Sequence, residues 1–217
     1  MFPMSKTKMI DPADALPGHP APIFSVPTTH EILGTQLQGP WPADVKVIYL
    51  AMGCFWGAEE YYWRLPGVYS TAVGYMGGFS PNPTYEEVCT ARTGHTETAL
   101  VAYRPSEVST YEILKLFWEH HDPTQGNRQG NDVGTQYRSA IFWTTEEQEV
   151  LATLTARAYD AELAQRHYGN VTTTIAPAAD YVFYYAEDYH QQYLHKVPNG
   201  YRCHANTGIA LPAVSIP

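Results

Sequence analysis

The chain has 217 residues and a formal charge of −9, from 13 Lys+Arg against 22 Asp+Glu, with no basic stripe, which excludes a nucleic-acid or anionic-membrane surface. No run is long and apolar enough to span a membrane, and Asp11-Pro12 interrupts the place where a secretory leader would carry its apolar core, so the expected location is the cytoplasm. The three cysteines (54, 89 and 203) cannot all pair and show no Cys-x-x-Cys spacing, which speaks against a disulfide framework, a structural zinc site or any other metal centre.

Residues 1–44 carry eight prolines and are predicted to form an extended arm packed on the domain through Leu33, Leu37 and Trp41. Residues 45–217 are then one domain. Val45 to Leu50 reads as a strand and Trp56 to Leu65 as a helix closed by Pro66-Gly67, which puts Cys54 where strand turns into helix. There the free N–H groups of the first turn favour a thiolate, and Gly53 and Gly57 suggest a close backbone approach or an unusual dihedral. The other reading is a packed structural cysteine.

Val68 to Tyr75 is predicted as a second strand, and a loop carries Tyr85 on to Cys89. Thr98 to Tyr103 alternates as a third strand with Glu97 near its start. Ser109-x-x-Glu112 caps a helix with Ile113, Leu116 and Phe117 inward, ending near His120-His121-Asp122-Pro123. The loop from 124 to 135 is long, polar and glycine-rich, which points to function. Gln136 to Trp143 is expected as a fourth strand, opening with Tyr137. A helix from Thr145 to about His167 places Val150, Leu151, Leu154, Ala158 and Ala161 inward and stops at Gly169-Asn170. Val171 to Ile175 reads as a short strand and Ala186 to Lys196 as a brief polar helix, with His190 and His195 on the surface. Helices packed on a mixed sheet, an α+β architecture, follow.

Glu97 at the edge of an apolar pocket would hold its proton and act as an acid; alternatively it is a solvated loop glutamate. Tyr85 and Tyr137 each aim a hydroxyl at a common cleft or pack as ordinary half-buried tyrosines. Cys203, in late coil beside Gly200, is expected to be mobile enough to reach another sulfur.

Gly53-Cys54-Phe55-Trp56-Gly57, Gly94-His95-Thr96-Glu97, Gly130-Asn131-Asp132-Val133-Gly134-Thr135-Gln136-Tyr137-Arg138-Ser139 and Tyr185-Ala186-Glu187-Asp188 occur in this order. The ordered set resembles the A-type peptide methionine sulfoxide reductases, with the match running from about Asp11 to Pro212. The resemblance implies a two-layer, ferredoxin-like α+β core with a long C-terminal coil, and thiol-dependent reduction of methionine S-sulfoxide, free or in proteins, as a repair after oxidative damage. It implies Cys54 as nucleophile and Glu97 as acid, Tyr85 and Tyr137 holding the sulfoxide oxygen, Phe55 and Trp56 enclosing the substrate methyl, and Asp132 lining the site to orient Glu97 or a water. It further implies a Cys54 sulfenic acid, resolved as a disulfide by Cys203, because Ala210 replaces the second tail cysteine that stands before Leu-Pro in many relatives. Thioredoxin is the implied reductant, with no cofactor, and a monomer is expected. Cys89, the competing resolver, is expected to be a buried structural thiol.

Two rival readings use the same residues. One is a cysteine hydrolase with His95 or His204 as base and Asp132 as orienter. The other is a thiol sensor or peptide-binding module without turnover.

Overall fold

The computed structural model describes residues 6–215; Pro3 of the predicted arm and the last two residues of the tail lie outside them. Lys46–Ala51 forms β1, Phe55–Trp63 α1, Val68–Met76 β2, Tyr85–Cys89 α2, Thr96–Tyr103 β3 and Thr110–Glu119 α3. Arg128–Gln129 (β4) and Asp132–Val133 (β5) pair as a small hairpin. Ala140–Trp143 (β6), Glu146–Gln165 (α4), Thr174–Pro177 (β7), Tyr184–Tyr185 (β8) and Tyr193–Lys196 (α5) follow.

Six strands make one mixed sheet in the order β7-β6-β1-β3-β2-β8. Every neighbouring pair is antiparallel except β6 with β7. Within it β1-α1-β2 and β3-α3-β6 are two split β-α-β units, the ferredoxin-like arrangement, and the fold is α+β as expected. Side chains alternate across the sheet. Ala99, Val101 and Tyr103 of β3 pack under the helices with Ile48, Leu50, Phe117 and Trp118. Leu100 and Ala102 face the other way, onto Leu37, Val26 and Trp41 from the N-terminal segment.

Several predicted elements move. All eight residues of β3 are buried, because the N-terminal segment covers the face that a half-exposed strand would show to water, and Glu97 lies inside the strand rather than ahead of it. Tyr85 is not in a loop: Thr84 and Glu87 form a capping box that nucleates α2. Tyr137 does not open β6 but closes a 3-10 turn, Thr135–Tyr137, which Thr96 clamps by donating its hydroxyl to the carbonyls of Gln136 and Arg138.

In α4, Val150 and Ala161 face solvent, and the buried stripe is Gln148, Leu151, Ala152, Thr155, Tyr159 and Leu163. This helix ends before Gly169, with His167 in the left-handed region at φ 61. There the N–H groups of His167 and Tyr168 close on the carbonyls of Ala164 and Leu163, a Schellman-type stop. Val171 donates its N–H to the Asp160 carboxylate and Thr172 to the Pro123 carbonyl, so β7 starts only at Thr174. The polar helix predicted from Ala186 is instead a 3-10 turn at Asp188–His190 and the short α5, separated by Gln192 at φ 49.

Candidate active site

The turn Met52-Gly53-Cys54 joins β1 to α1 and leaves Cys54 as the residue that starts the helix, buried and with a free thiol. Gly53 has φ +92, and a Cβ there would fall 2.6 Å from Cγ of Gln129. Only glycine lets the β4 strand close down over the cysteine turn. Gln129 is itself locked, accepting from the Asp122 N–H and donating to the Asp122 carbonyl. Gly57 lines the crevice beside Cys54, and a Cβ there would touch nothing within 4 Å.

That crevice is lined by Met52, Cys54, Tyr61, His120, Cys203 and Ala205. The sulfur is pulled two ways. Burial and the nearby Glu97 and Asp132 carboxylates push the thiol well above its ordinary range, while the backbone N–H groups of Trp56 and Gly57 pull it down. Burial and the carboxylates win. The thiolate expected from the helix start alone is therefore not the resting form of the free site.

Glu97 accepts the Phe55 N–H at 3.0 Å and is fully buried; desolvation, opposed by that bond and reinforced by Asp132, raises its carboxyl to about 8. It is a neutral acid at pH 7, not a solvated loop residue. Burial first, and then the nearby Glu97 charge, push the Tyr85 and Tyr137 phenols up, so both stay protonated. Glu187 holds this side together, accepting the Tyr75 hydroxyl at 2.8 Å and the Tyr85 N–H at 2.8 Å.

Phe55 and Trp56 form an aromatic wall. The Phe55 ring lies 5.8 Å from Tyr75 and 6.5 Å from Tyr85, and Trp56 stacks on Tyr193 at 3.9 Å. Trp56 also donates its indole N–H to Nδ1 of His190 at 2.9 Å. His190 was expected on the surface, yet it is completely buried. Burial lowers its pKa to about 3, so the ring is neutral and acts as an acceptor that fixes the indole.

Asp132, on β5, accepts the Tyr201 hydroxyl at 3.0 Å. Cys203 is two residues further on, its thiol 3.5 Å from the Gln129 carbonyl. Its flanks are tied down: Arg202 forms a forked pair with Glu60 at 2.7 and 3.1 Å, and Thr207 meets the Tyr159 hydroxyl at 2.6 Å. Cys89 is half-buried rather than buried, at the end of α2, and hydrogen-bonds Tyr85. His95 is spent on the Ser80 carbonyl at 2.7 Å and the Gly78 N–H at 3.1 Å. Neither His95 nor His204, the bases named for the hydrolase reading, lines the crevice at Cys54. Among the described residues no group of three or more His, Cys, Asp or Glu side chains is arranged to hold a metal.

A family profile described as peptide methionine sulfoxide reductase matches residues 46–214. The chain is 54% identical over 207 residues to the peptide methionine sulfoxide reductase MsrA 1 of Synechocystis, covering 95% of this chain and 92% of that protein. It is 55% identical over 212 residues to the MsrA of Rhodospirillum centenum, covering 98% and 95%. The chain belongs to the peptide methionine sulfoxide reductase family. Its fold superposes on methionine sulfoxide reductase A of Corynebacterium diphtheriae with a TM-score of 0.85 at 45% identity, over 95% of this chain and all of that one. Reduced Mxr1 of Saccharomyces cerevisiae gives 0.66 at 36% identity, over 76% and 92%.

As a methionine sulfoxide reductase, the chain brings Cys54, Phe55, Trp56, Tyr85, Glu97, Asp132, Tyr137 and Cys203 into one neighbourhood from six separate stretches of sequence. Sequence reasoning missed His190, Tyr193, Tyr201 and Glu187. Their signal was present in the aromatic spacing of 184–201, but a polar average made that stretch look like a surface helix.

Proposed function

We propose that this reductase converts methionine S-sulfoxide, free or in oxidised proteins, to methionine through a Cys54 sulfenic acid, as a repair activity of the cytoplasm carried out by a monomer. The observation that carries the reading is the buried, proton-bearing Glu97 at the N–H of Phe55, next to the Cys54 thiol.

The sulfoxide oxygen would lie among Glu97, Tyr85 and Tyr137, all of which carry a proton to donate. As Cys54 attacks sulfur, negative charge grows on that oxygen, and preformed donors in a dry pocket stabilise it. Oxygen ends on the cysteine as Cys54–SOH, the Cys54 proton accompanies it, and the sulfide leaves as methionine. The methyl group would rest against Phe55 and Trp56, whose orientation His190 and Tyr193 fix. No cofactor takes part.

Cys203 then attacks the sulfenic sulfur and releases water. It is favoured over Cys89 as resolver because it shares the crevice with Cys54, whereas Cys89 stands on the Tyr85 side. Thioredoxin, the reductant implied by the resemblance, would reopen the disulfide. The test is single turnover on resolved sulfoxide epimers followed by disulfide mapping. Cys54→Ser is expected to form no methionine; Cys203→Ser is expected to form about one equivalent and then stop with thioredoxin, while small thiols still turn it over. Full thioredoxin-dependent cycling by Cys203→Ser would shift the resolving role to Cys89.

A further inference from the structure

The resolving step poses a proton problem. Cys203 must lose its proton to attack, and the oxygen leaving Cys54 must gain one to depart as water. Burial pushes the Cys203 thiol up, so it does not ionise unaided.

The hairpin of β4 and β5 holds a carboxylate at this thiol. Gln129 and Asp132 are cross-strand partners; the Gln129 carbonyl lies 3.5 Å from Sγ of Cys203, and a Cβ on Gly130 would lie 3.4 Å from the same sulfur. The thiol thus rests on the strand pair that carries Asp132. Tyr201 anchors the tail to this carboxylate with a 3.0 Å bond to Oδ2. The Asp132 charge acts on Cys203, on Cys54 and on Glu97 alike. The other candidate base in the crevice is His120, whose ring lies tilted against Tyr61 with centroids 4.2 Å apart.

We propose that Asp132 is the general base of the resolving step, taking the Cys203 proton as its sulfur bonds to Cys54 and passing it to the departing hydroxide. The inference rests on Cys203 being the resolver. The balance is closed: Cys203–SH and Cys54–SOH give the disulfide and water, with Asp132 ionised before and after. Tyr201 is then a positioning residue, holding carboxylate and thiol together. This separates the two carboxyls by half-reaction, with protonated Glu97 serving sulfoxide reduction and ionised Asp132 serving disulfide closure.

The test is rapid-quench single turnover with methionine sulfoxide, reading methionine formed, Cys54–SOH trapped by dimedone and free thiols remaining. In Asp132→Asn, disulfide closure is expected to slow by about 10²-fold or more and far more than methionine formation does, so that sulfenic acid accumulates. In Asp132→Ala, added formate or acetate is expected to restore closure in proportion to its concentration, which a purely structural role would not produce. An equal slowing of both steps, or wild-type closure in Asp132→Asn, overturns the proposal. So does slow closure in His120→Gln with normal closure in Asp132→Asn, which moves the base to His120. A Cys54–Cys89 bond in the oxidised wild type overturns the resolver reading itself, an outcome that disulfide mapping separates from failure of the base alone.

Discussion

Glu97 carries a tension that a single substitution exposes. An unfolded chain ionises this carboxyl near pH 4.5, the folded chain near 8. Between those values the native state binds more protons than the unfolded one, so burying Glu97 lowers stability progressively as pH rises from 4.5 to 8. Glu97→Gln removes that penalty and also removes the acid. We expect the first half-reaction to slow by about 10²-fold or more, while the melting temperature measured near pH 8 stays equal or rises. In wild type the same step should fall above pH 8 as the acid is lost, and the falling limb should vanish in Glu97→Gln. An unchanged single-turnover rate would sink the acid role. Glu97 was legible as a candidate from the apolar strand behind it. Its held proton was expected too, but its complete burial inside β3, against the Phe55 N–H and near Asp132, was not, because neither partner is a neighbour in sequence.

Elements defined by their own residues were read correctly from the sequence, and those defined by distant partners were not. The Ser109-x-x-Glu112 capping box starts α3 within one residue of its expected place. The equivalent box at Thr84 was passed over because α2 is only five residues long. The turn holding Tyr137 depends on Thr96, 41 positions away, and no local pattern encodes it. The end of α4 shows the same limit, since His167 takes a left-handed conformation usually given to glycine. His167 is exposed there, so His167→Gly should stabilise the protein by about 0.5–1 kcal/mol, read as a higher urea midpoint with an unchanged slope. A loss of stability would mean that the imidazole has a contact worth more than the backbone strain.

At the scale of the molecule, the described N-terminal segment and the C-terminal coil both pack against the sheet and its helices. Glu59, fully buried on α1, accepts from the Gln192 N–H and side chain at 2.9 and 2.7 Å and from the Thr71 hydroxyl at 2.9 Å. Thr71 in turn meets His30 at 2.8 Å. One buried carboxylate therefore joins the N-terminal segment, β2, α1 and the segment that sets the Trp56 wall. Leu37 is wholly buried on the sheet face opposite the helices. Leu37→Ala is expected to lower unfolding free energy by about 2–5 kcal/mol, with kcat nearly unchanged below the new melting point. A selective loss of kcat would show that the arm tunes the site as well as covering the core. The arm's prolines foretold an extended path, but its route over β2 and β3 depends on small side chains, Ala72 and Ala102, that carry no signal in the sequence of the arm itself.

His190 and Tyr193, which fix the Trp56 ring, and Cys203 all come from the chain's last thirty or so residues, while strands β1 to β6 come from residues 46–143. During synthesis at ~5–20 residues per second, the central sheet precedes Cys203 by several seconds. A nascent chain thus carries Cys54 and its sheet before it possesses Trp56's partners or Cys203, and, with Cys203 as the proposed resolver, a ribosome stalled short of residue 187 presents a Cys54 that thioredoxin-dependent closure cannot reset. On the proposed mechanism, premature termination in that interval would leave Cys54 dependent on small thiols for its reset.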